Sequence, residues 1–197
     1  WDEDVENSYV LPADPSTTWK IVAEKVTPTV SGIYDKTYNG TAQTQNSLVV
    51  KVGDTPLTLN TDYEVEYSNN TNAGTASMVI KSIGGNYSFD DISRTFIIKP
   101  KEVTGFSWPT PRTFTFDGVA KTYLTKTDNL YKGITLTGVL TGDQCFVATI
   151  SGTNSGTNVD TYTVKAETLS NDNYVIKSGI SSQTTTWEIE PNTTEPT

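Results

Sequence analysis

The sequence predicts an all-β protein made of two tandem antiparallel β-sandwich repeat domains, and three observations carry that prediction. Threonine fills 35 of the 197 positions, and with valine, isoleucine and tyrosine it belongs to the group whose branched or aromatic side chains suit a pleated surface. Apolar residues recur with period two, the spacing of half-buried strands, and nowhere with a convincing period of about 3.6. The chain also repeats itself. Trp19-Lys20-Ile21, Phe96-Ile97-Ile98 and Trp187-Glu188-Ile189 share an aromatic residue, one intervening residue and an isoleucine, each preceded by threonine. Self-similarity at this period means copies of one supersecondary unit.

The elements run in order along the chain. Residues 1–21 read as the last strands of a preceding repeat, because Asn7-Ser8-Tyr9-Val10-Leu11 followed by Thr18-Trp19 mirrors Asn173-Tyr174-Val175-Ile176 followed by Thr186-Trp187. Residues 22–103 form the first repeat. In it Tyr63, Val65 and Tyr67 alternate with Glu64 and Glu66, and Ala76, Met78 and Ile80 with Ser77, Val79 and Lys81. The Asn-rich stretch from Ser68 to Gly74 joins these two runs as a hairpin. Residues 104–191 form the second repeat, entered through Lys99-Pro100-Lys101. Glu24-Lys25-Val26-Thr27 recurs across this junction as Lys101-Glu102-Val103-Thr104, and within the second repeat Tyr38-Asn39-Gly40 recurs as Phe116-Asp117-Gly118 and Gly85-Asn86-Tyr87 as Asp172-Asn173-Tyr174. Phe146, Ala148 and Ile150 alternate with Cys145, Val147 and Thr149, and Tyr162, Val164 and Ala166 make a further run. The second copy is longer, and the small polar stretch Ser151 to Gly156 reads as a loop insertion that leaves the core intact. Thr122 to Lys132 is the nearest candidate for a helix. A β-grasp arrangement, one helix laid on a sheet, is the alternative fold. Residues 192–197 read as a linker, since proline and threonine without apolar residues add nothing to a core.

Composition narrows the function. Fourteen basic against 23 acidic side chains leave a formal charge of −9, which disfavours nucleic acid and anionic membranes. No histidine is present, which removes the commonest general base and the commonest transition-metal ligand. The single cysteine, Cys145, permits no internal disulfide and no cysteine-based zinc site. No apolar run reaches the roughly 18 residues that a membrane helix needs. The chain opens on Trp1 rather than methionine, which reads as a processed or excised fragment.

Tyr38-Asn39-Gly40-Thr41-Ala42, Leu57 to Tyr63, Tyr67 to Ala76 and Gly85-Asn86-Tyr87 together resemble the repeat found in tandem on large bacterial surface proteins, called YDG, MBG or bacterial Ig-like. Phe116-Asp117-Gly118, Leu140-Thr141-Gly142-Asp143, Asn158 to Tyr162 and Leu169 to Tyr174 are similar to its YDG variant. Phe116 replaces the usual tyrosine there, and Asp160 stands where a glycine is expected. The resemblance implies an extracellular, Ig-like module used as a spacer or adhesive segment, with neighbouring repeats as partners, and it does not imply an enzyme or a cofactor.

Most candidate site residues have a plain structural explanation. Asn39-Gly40 and Asp117-Gly118 fit tight turns better than cation ligands. Asp143, Asp160 and Asp172 match no calcium loop, so no metal is expected. Glu64 and Glu66 share a solvent-facing side of one strand, and nothing sets either in an apolar pocket as an acid catalyst requires. Trp19, Phe96 and Trp187 occupy equivalent positions and read as core. Cys145 reads as a small buried apolar group. Trp108 differs, because Phe106-Ser107-Trp108-Pro109-Thr110-Pro111 cannot be a central strand and the first repeat has no counterpart. Trp108, with Tyr123 and Tyr131, is therefore the candidate contact group for a glycan or host surface glycoprotein; packing of Trp108 between the two repeats is the competing reading. Exposed sheet edges offer a third route, recruitment of another chain by strand addition.

Overall fold

The computed structural model describes residues 21–193. The expectation of strands before Ile21, with Trp19 among them, lies outside the described residues. Within them the chain is all-β. Its first half holds β1 (Glu24–Lys25), β2 (Thr29–Ser31), β3 (Lys36–Thr37), β4 (Val49–Val52), β5 (Thr55–Pro56), β6 (Tyr63–Ser68), β7 (Gly74–Ser82), β8 (Tyr87–Ser88) and β9 (Ile92–Lys99). The second half holds β10 (Lys101–Val103), β11 (Gly105–Ser107), β12 (Thr113–Thr115), β13 (Lys121–Thr122), β14 (Thr135–Thr137), β15 (Val147–Gly152), β16 (Ser155–Gly156), β17 (Asp160–Leu169), β18 (Tyr174–Ile176) and β19 (Thr184–Glu190).

Strand pairing recurs from one half to the other. The largest sheet runs β3-β9-β7-β6 in the first half and β12-β19-β17-β15 in the second. In each, the strand before the repeated aromatic-Asx-Gly segment lies parallel to the last strand, and the remaining pairs are antiparallel. The entry strand of each half pairs in parallel with the strand after the repeated asparagine: Glu24 faces Tyr87, and Lys101 faces Tyr174. β2 and β11 pair antiparallel with β4 and β14. No α-helix occurs among the described residues; the one helical element is a 3-10 turn at Ser181–Gln183. The helix that a β-grasp arrangement requires is therefore missing from this region. Thr122 to Lys132 holds no helix. Thr122 ends β13, and the chain then turns at residues 127–130, where Asp128 and Asn129 take positive φ of 52° and 62° and Thr127 and Leu130 exchange backbone hydrogen bonds of 2.9 and 3.1 Å. Asp and Asn tolerate that left-handed conformation, which an α-helix cannot use.

The alternations place the core. Tyr63, Ala76, Met78, Ile80, Phe96 and Ile98 are buried in the first half, and Cys145, Val147, Val164, Ala166, Trp187 and Ile189 in the second. All belong to one continuous apolar cluster. The Cys145-to-Ile150 run breaks its period. Its pairing with β17 shifts register between Val147, Thr149 and Ile150, so Val147 and Ile150 both turn inward while Thr149 and Thr168 join hydroxyls at 2.6 Å on the outside. The two shifts cancel, because three residues separate Val147 from Ile150 and three separate Leu169 from Ala166, so both strands change face together across a local irregularity of the ladder.

The inserted stretch does more than lengthen a loop. β16 pairs with β13, Asn154 exchanges two hydrogen bonds with the backbone of Leu124 at 2.9 and 2.8 Å, and the Trp187 indole donates to the Thr153 carbonyl at 2.8 Å. Gly156 packs so closely on Tyr162 that an added Cβ would stand 2.3 Å from its Cζ. The insertion is thus part of the second core rather than an appendage, because the indole N–H, once buried, needs an acceptor.

Candidate functional site

The repeated turns behave alike. After β3 and after β12 the chain enters an Asx turn: Thr41 N–H donates to Asn39 Oδ1 at 3.0 Å, and Val119 N–H to Asp117 Oδ1 at 2.9 Å. Gly40 and Gly118 come next with φ of 80° and 78°, conformations that suit glycine. The residue just before each turn is where the halves part. Tyr38 is buried and Phe116 is exposed.

Tyr38 is buried against the second half. Its hydroxyl donates to Asp143 Oδ2 at 2.8 Å, and Tyr174 donates to the same oxygen at 2.6 Å. The two rings meet edge to face with centroids 5.6 Å apart. The Tyr174 hydroxyl also accepts from Leu140 N–H at 3.0 Å. On the flank, Asn173 Oδ1 accepts from Ala73 N–H at 2.7 Å and its amide donates to Asn72 Oδ1 at 3.2 Å. Hydrogen bonds from Tyr174 and then Tyr38 hold the Asp143 carboxyl below its ordinary value. Burial, then the bond to Asp143, pushes Tyr174 up to about 12. The Asp143 bond, then burial, also raises Tyr38. Charge-assisted bonds are stronger than neutral ones, so the polar heart of this junction is a carboxylate shared by two phenols. Asp143, whose sequence context raised only the question of a cation ligand, has that role instead. Tyr38 and Tyr174 both lie in repeated motifs, which was the available signal; Asp143 lies in the Leu140-Thr141-Gly142-Asp143 segment of the resemblance, but nothing in the sequence pairs it with Tyr38.

The aromatic candidates fare differently. Trp108 is half-buried, stacks on Phe106 with centroids 6.3 Å apart and donates its indole N–H to the Ser182 carbonyl at 2.8 Å. Both partners belong to the second half, so the reading that places it between the repeats does not describe its contacts. Its polar edge is occupied and its ring covered on one face. Tyr123 is only 8% exposed; it stacks on Trp187 with centroids 6.1 Å apart and donates to the Pro109 carbonyl at 2.9 Å. This corrects the expectation of an exposed contact ring: Tyr123 is packed in the core against Trp187. Tyr131 is half-buried, with Lys126 Nζ 5.0 Å from its ring centroid. Tyr123, Tyr131 and Pro109 line one pocket of about 270 Å³, but Trp108 does not.

The remaining reactive groups are quiet. Burial pushes the Cys145 thiol up to about 11, which suppresses the thiolate that any nucleophile or ligand would need. Glu66 is paired with Lys81 at 2.6 Å. No group of three or more acidic, cysteine or histidine side chains that could hold a metal ion is found among the described residues, and no helix there is long and apolar enough to cross a membrane. Comparison with protein families, with curated proteins and with solved structures finds no match.

Proposed function

We propose that the chain is a non-enzymatic spacer segment of a secreted or cell-surface bacterial protein, made of two tandem Ig-like sandwich domains that bear an adhesin-like tip or neighbour away from the cell. The observation that carries this reading is the junction. Tyr38, Asp143 and Tyr174, with Asn173 beside them, tie the end of one repeat to the start of the next, and a spacer that holds distance needs units that do not swing. The far end of the second half supports the same reading: Phe116, Val119 and Val159 are exposed there, in the place where the first half is covered. Tandem units stack through nearest-neighbour contacts of this sort. The resemblance to surface-protein repeats and the acidic, threonine-rich exterior, which favours solubility, support location outside the cell. The test is alignment of the intact fragment in a dilute liquid-crystal medium, with residual dipolar couplings read separately for the two halves. One shared alignment tensor is the expected result. Independent tensors overturn the spacer reading.

The carbohydrate reading is narrowed to the pocket beside Tyr131, where a half-exposed ring adjoins Thr125 and Thr127. A glycan screen on the fragment and on Tyr131→Ala decides it, with saturable binding lost in the variant as the supporting outcome.

A further inference from the structure

The two large sheets end in different edges. In the second half the edge strand β15 carries the register shift, and Tyr131 N–H bonds to the Val147 carbonyl at 2.9 Å; bulges and covering segments are how proteins close an edge to strangers. In the first half the edge strand β6 pairs with β7 in unbroken register from Tyr63 to Ser68. Ile83 N–H bonds to the Asp62 carbonyl, and Asn60 N–H reaches the Tyr63 carbonyl from the open side at 2.7 Å. Antiparallel pairs alternate, so the backbone groups of Val65 and Tyr67 also point to the open side. Among the described residues no hydrogen bond takes them up.

That side is a groove of about 430 Å³, with β6 as one wall and Leu48, Leu59 and Asn46 on the other. The opposite wall is firmly held. Gln45, itself buried, exchanges hydrogen bonds with both backbone groups of Tyr34 at 3.0 and 2.8 Å, and its own N–H donates to the Tyr67 hydroxyl at 3.1 Å. Leu59 is exposed beside it. The one charged residue lining the groove is Glu64; it lies across the ladder from Lys81 and feels its charge. The Lys81 ammonium makes its close contact with Glu66 at 2.6 Å, which leaves the Glu64 carboxylate without a contact ion pair among the described residues.

We propose that this groove binds an extended peptide segment carrying basic side chains, which adds to β6 as a fifth strand of the sheet. Backbone groups of Val65 and Tyr67 supply the new ladder, Leu48 and Leu59 receive an apolar side chain, and Glu64 faces a lysine or arginine. Charge selects this occupant over a second copy. Antiparallel pairing of two β6 strands centred on Val65 or on Glu66 sets glutamate opposite glutamate, and like charges across a ladder destabilise it; the chain charge of −9 adds to the repulsion. The inference concerns a binding site and does not rest on the spacer reading.

The test uses the intact fragment and a blocked synthetic heptapeptide, Thr-Lys-Val-Lys-Val-Lys-Thr, followed by amide NMR. The expected result is saturable binding that shifts the Val65 and Tyr67 amides and slows their hydrogen exchange. Glu64→Lys, on an exposed side chain, weakens binding about tenfold, and N-methylation of the peptide valines weakens it by about as much or more. Val65→Pro, which removes an outward N–H without touching the β7 ladder, abolishes it while the variant still melts cooperatively. Binding that survives N-methylation, or shifts confined to other residues, overturns the proposal. Val65 and Tyr67 shifts that grow with protein concentration and ignore the peptide identify a second copy as the occupant and equally overturn it.

Discussion

Phe96 and Trp187 hold the same place on the last strand of their halves, yet their surroundings differ. Phe96 meets the ring of Tyr67 edge to face with centroids 6.4 Å apart, whereas Trp187 is met by Phe114, Tyr123 and Tyr162, the last stacked at 4.5 Å. The larger ring comes with a polar N–H, and the second half provides Thr153 as its acceptor by means of the inserted β16 and its partner β13. One strand order thus accommodates two cores, and the added length of the second half is the casing of its tryptophan. The same contrast runs through the ends and edges: among the described residues the first half has a covered end and an open edge, and the second has the reverse.

The strongest way to break this comparison is to truncate both rings. Trp187→Ala is expected to cost about 4 kcal/mol and Phe96→Ala about 3, within the usual range for buried aromatic residues, as read from urea unfolding curves. Equal losses, or a larger one at Phe96, would show that the insertion does not serve the tryptophan.

Cys145 sharpens the comparison from within the second core. With its thiol at about 11 instead of 9.0, the thiolate fraction near neutral pH falls roughly a hundredfold, and burial blocks access as well. Native protein is expected to resist an alkylating reagent and to become labelled as the second half unfolds. Rapid labelling of the folded chain would mean that this core opens far more readily than its packing indicates.

The junction is next in size. Asp143→Asn and Tyr38→Phe are each expected to split a single calorimetric transition into two, since they remove what joins the halves. The pH dependence has a defined sign at both limits. Asp143 is held below 3.8, so its contribution is present above that value and is lost as pH falls through the lowered one. Tyr174 is raised from 10.0 to about 12, so its contribution is present below 10.0 and is lost as pH rises towards 12. Coupling should persist between these limits and fail outside them, with Asp143→Asn removing the acid limb. A single transition that persists in both variants across the whole range would place the coupling elsewhere.

The smallest effect concerns the paired turns. Gly40→Ala and Gly118→Ala impose the same left-handed strain, about 1 kcal/mol each. At Gly40 the new methyl also meets Leu140 Cδ1 of the second half at 3.3 Å, while at Gly118 nothing lies within 4 Å. Thermal melts should therefore rank Gly40→Ala as slightly the more destabilised; the opposite ranking would remove Leu140 from the junction.

Much of the fold was legible in the sequence, and for reasons that can be named. Alternation along β6 and β7 declared which side chains enter the core, and the duplicated Asx-Gly segments announced turns that recur in both halves; the duplicated Asn-Tyr segments announced the repeat but not the parallel pairings they enter. The candidate site was legible only in fragments. Tyr123 looked like any tyrosine in a polar stretch, and its burial depends on Trp187, 64 positions away along the chain.

By itself the sequence determined what local chemistry decides: strands from period two, turns from residues that accept positive φ, repetition from matched motifs, and an acidic surface without histidine. Tertiary structure alone decided which repeated residues became a junction, which edge stayed open and which aromatic rings were hidden. Those outcomes depend on meetings such as that of Tyr38 with Asp143, 105 positions apart in the chain. No pattern within a strand encodes which surface lies opposite; that is set when burial of apolar area selects one packing among many.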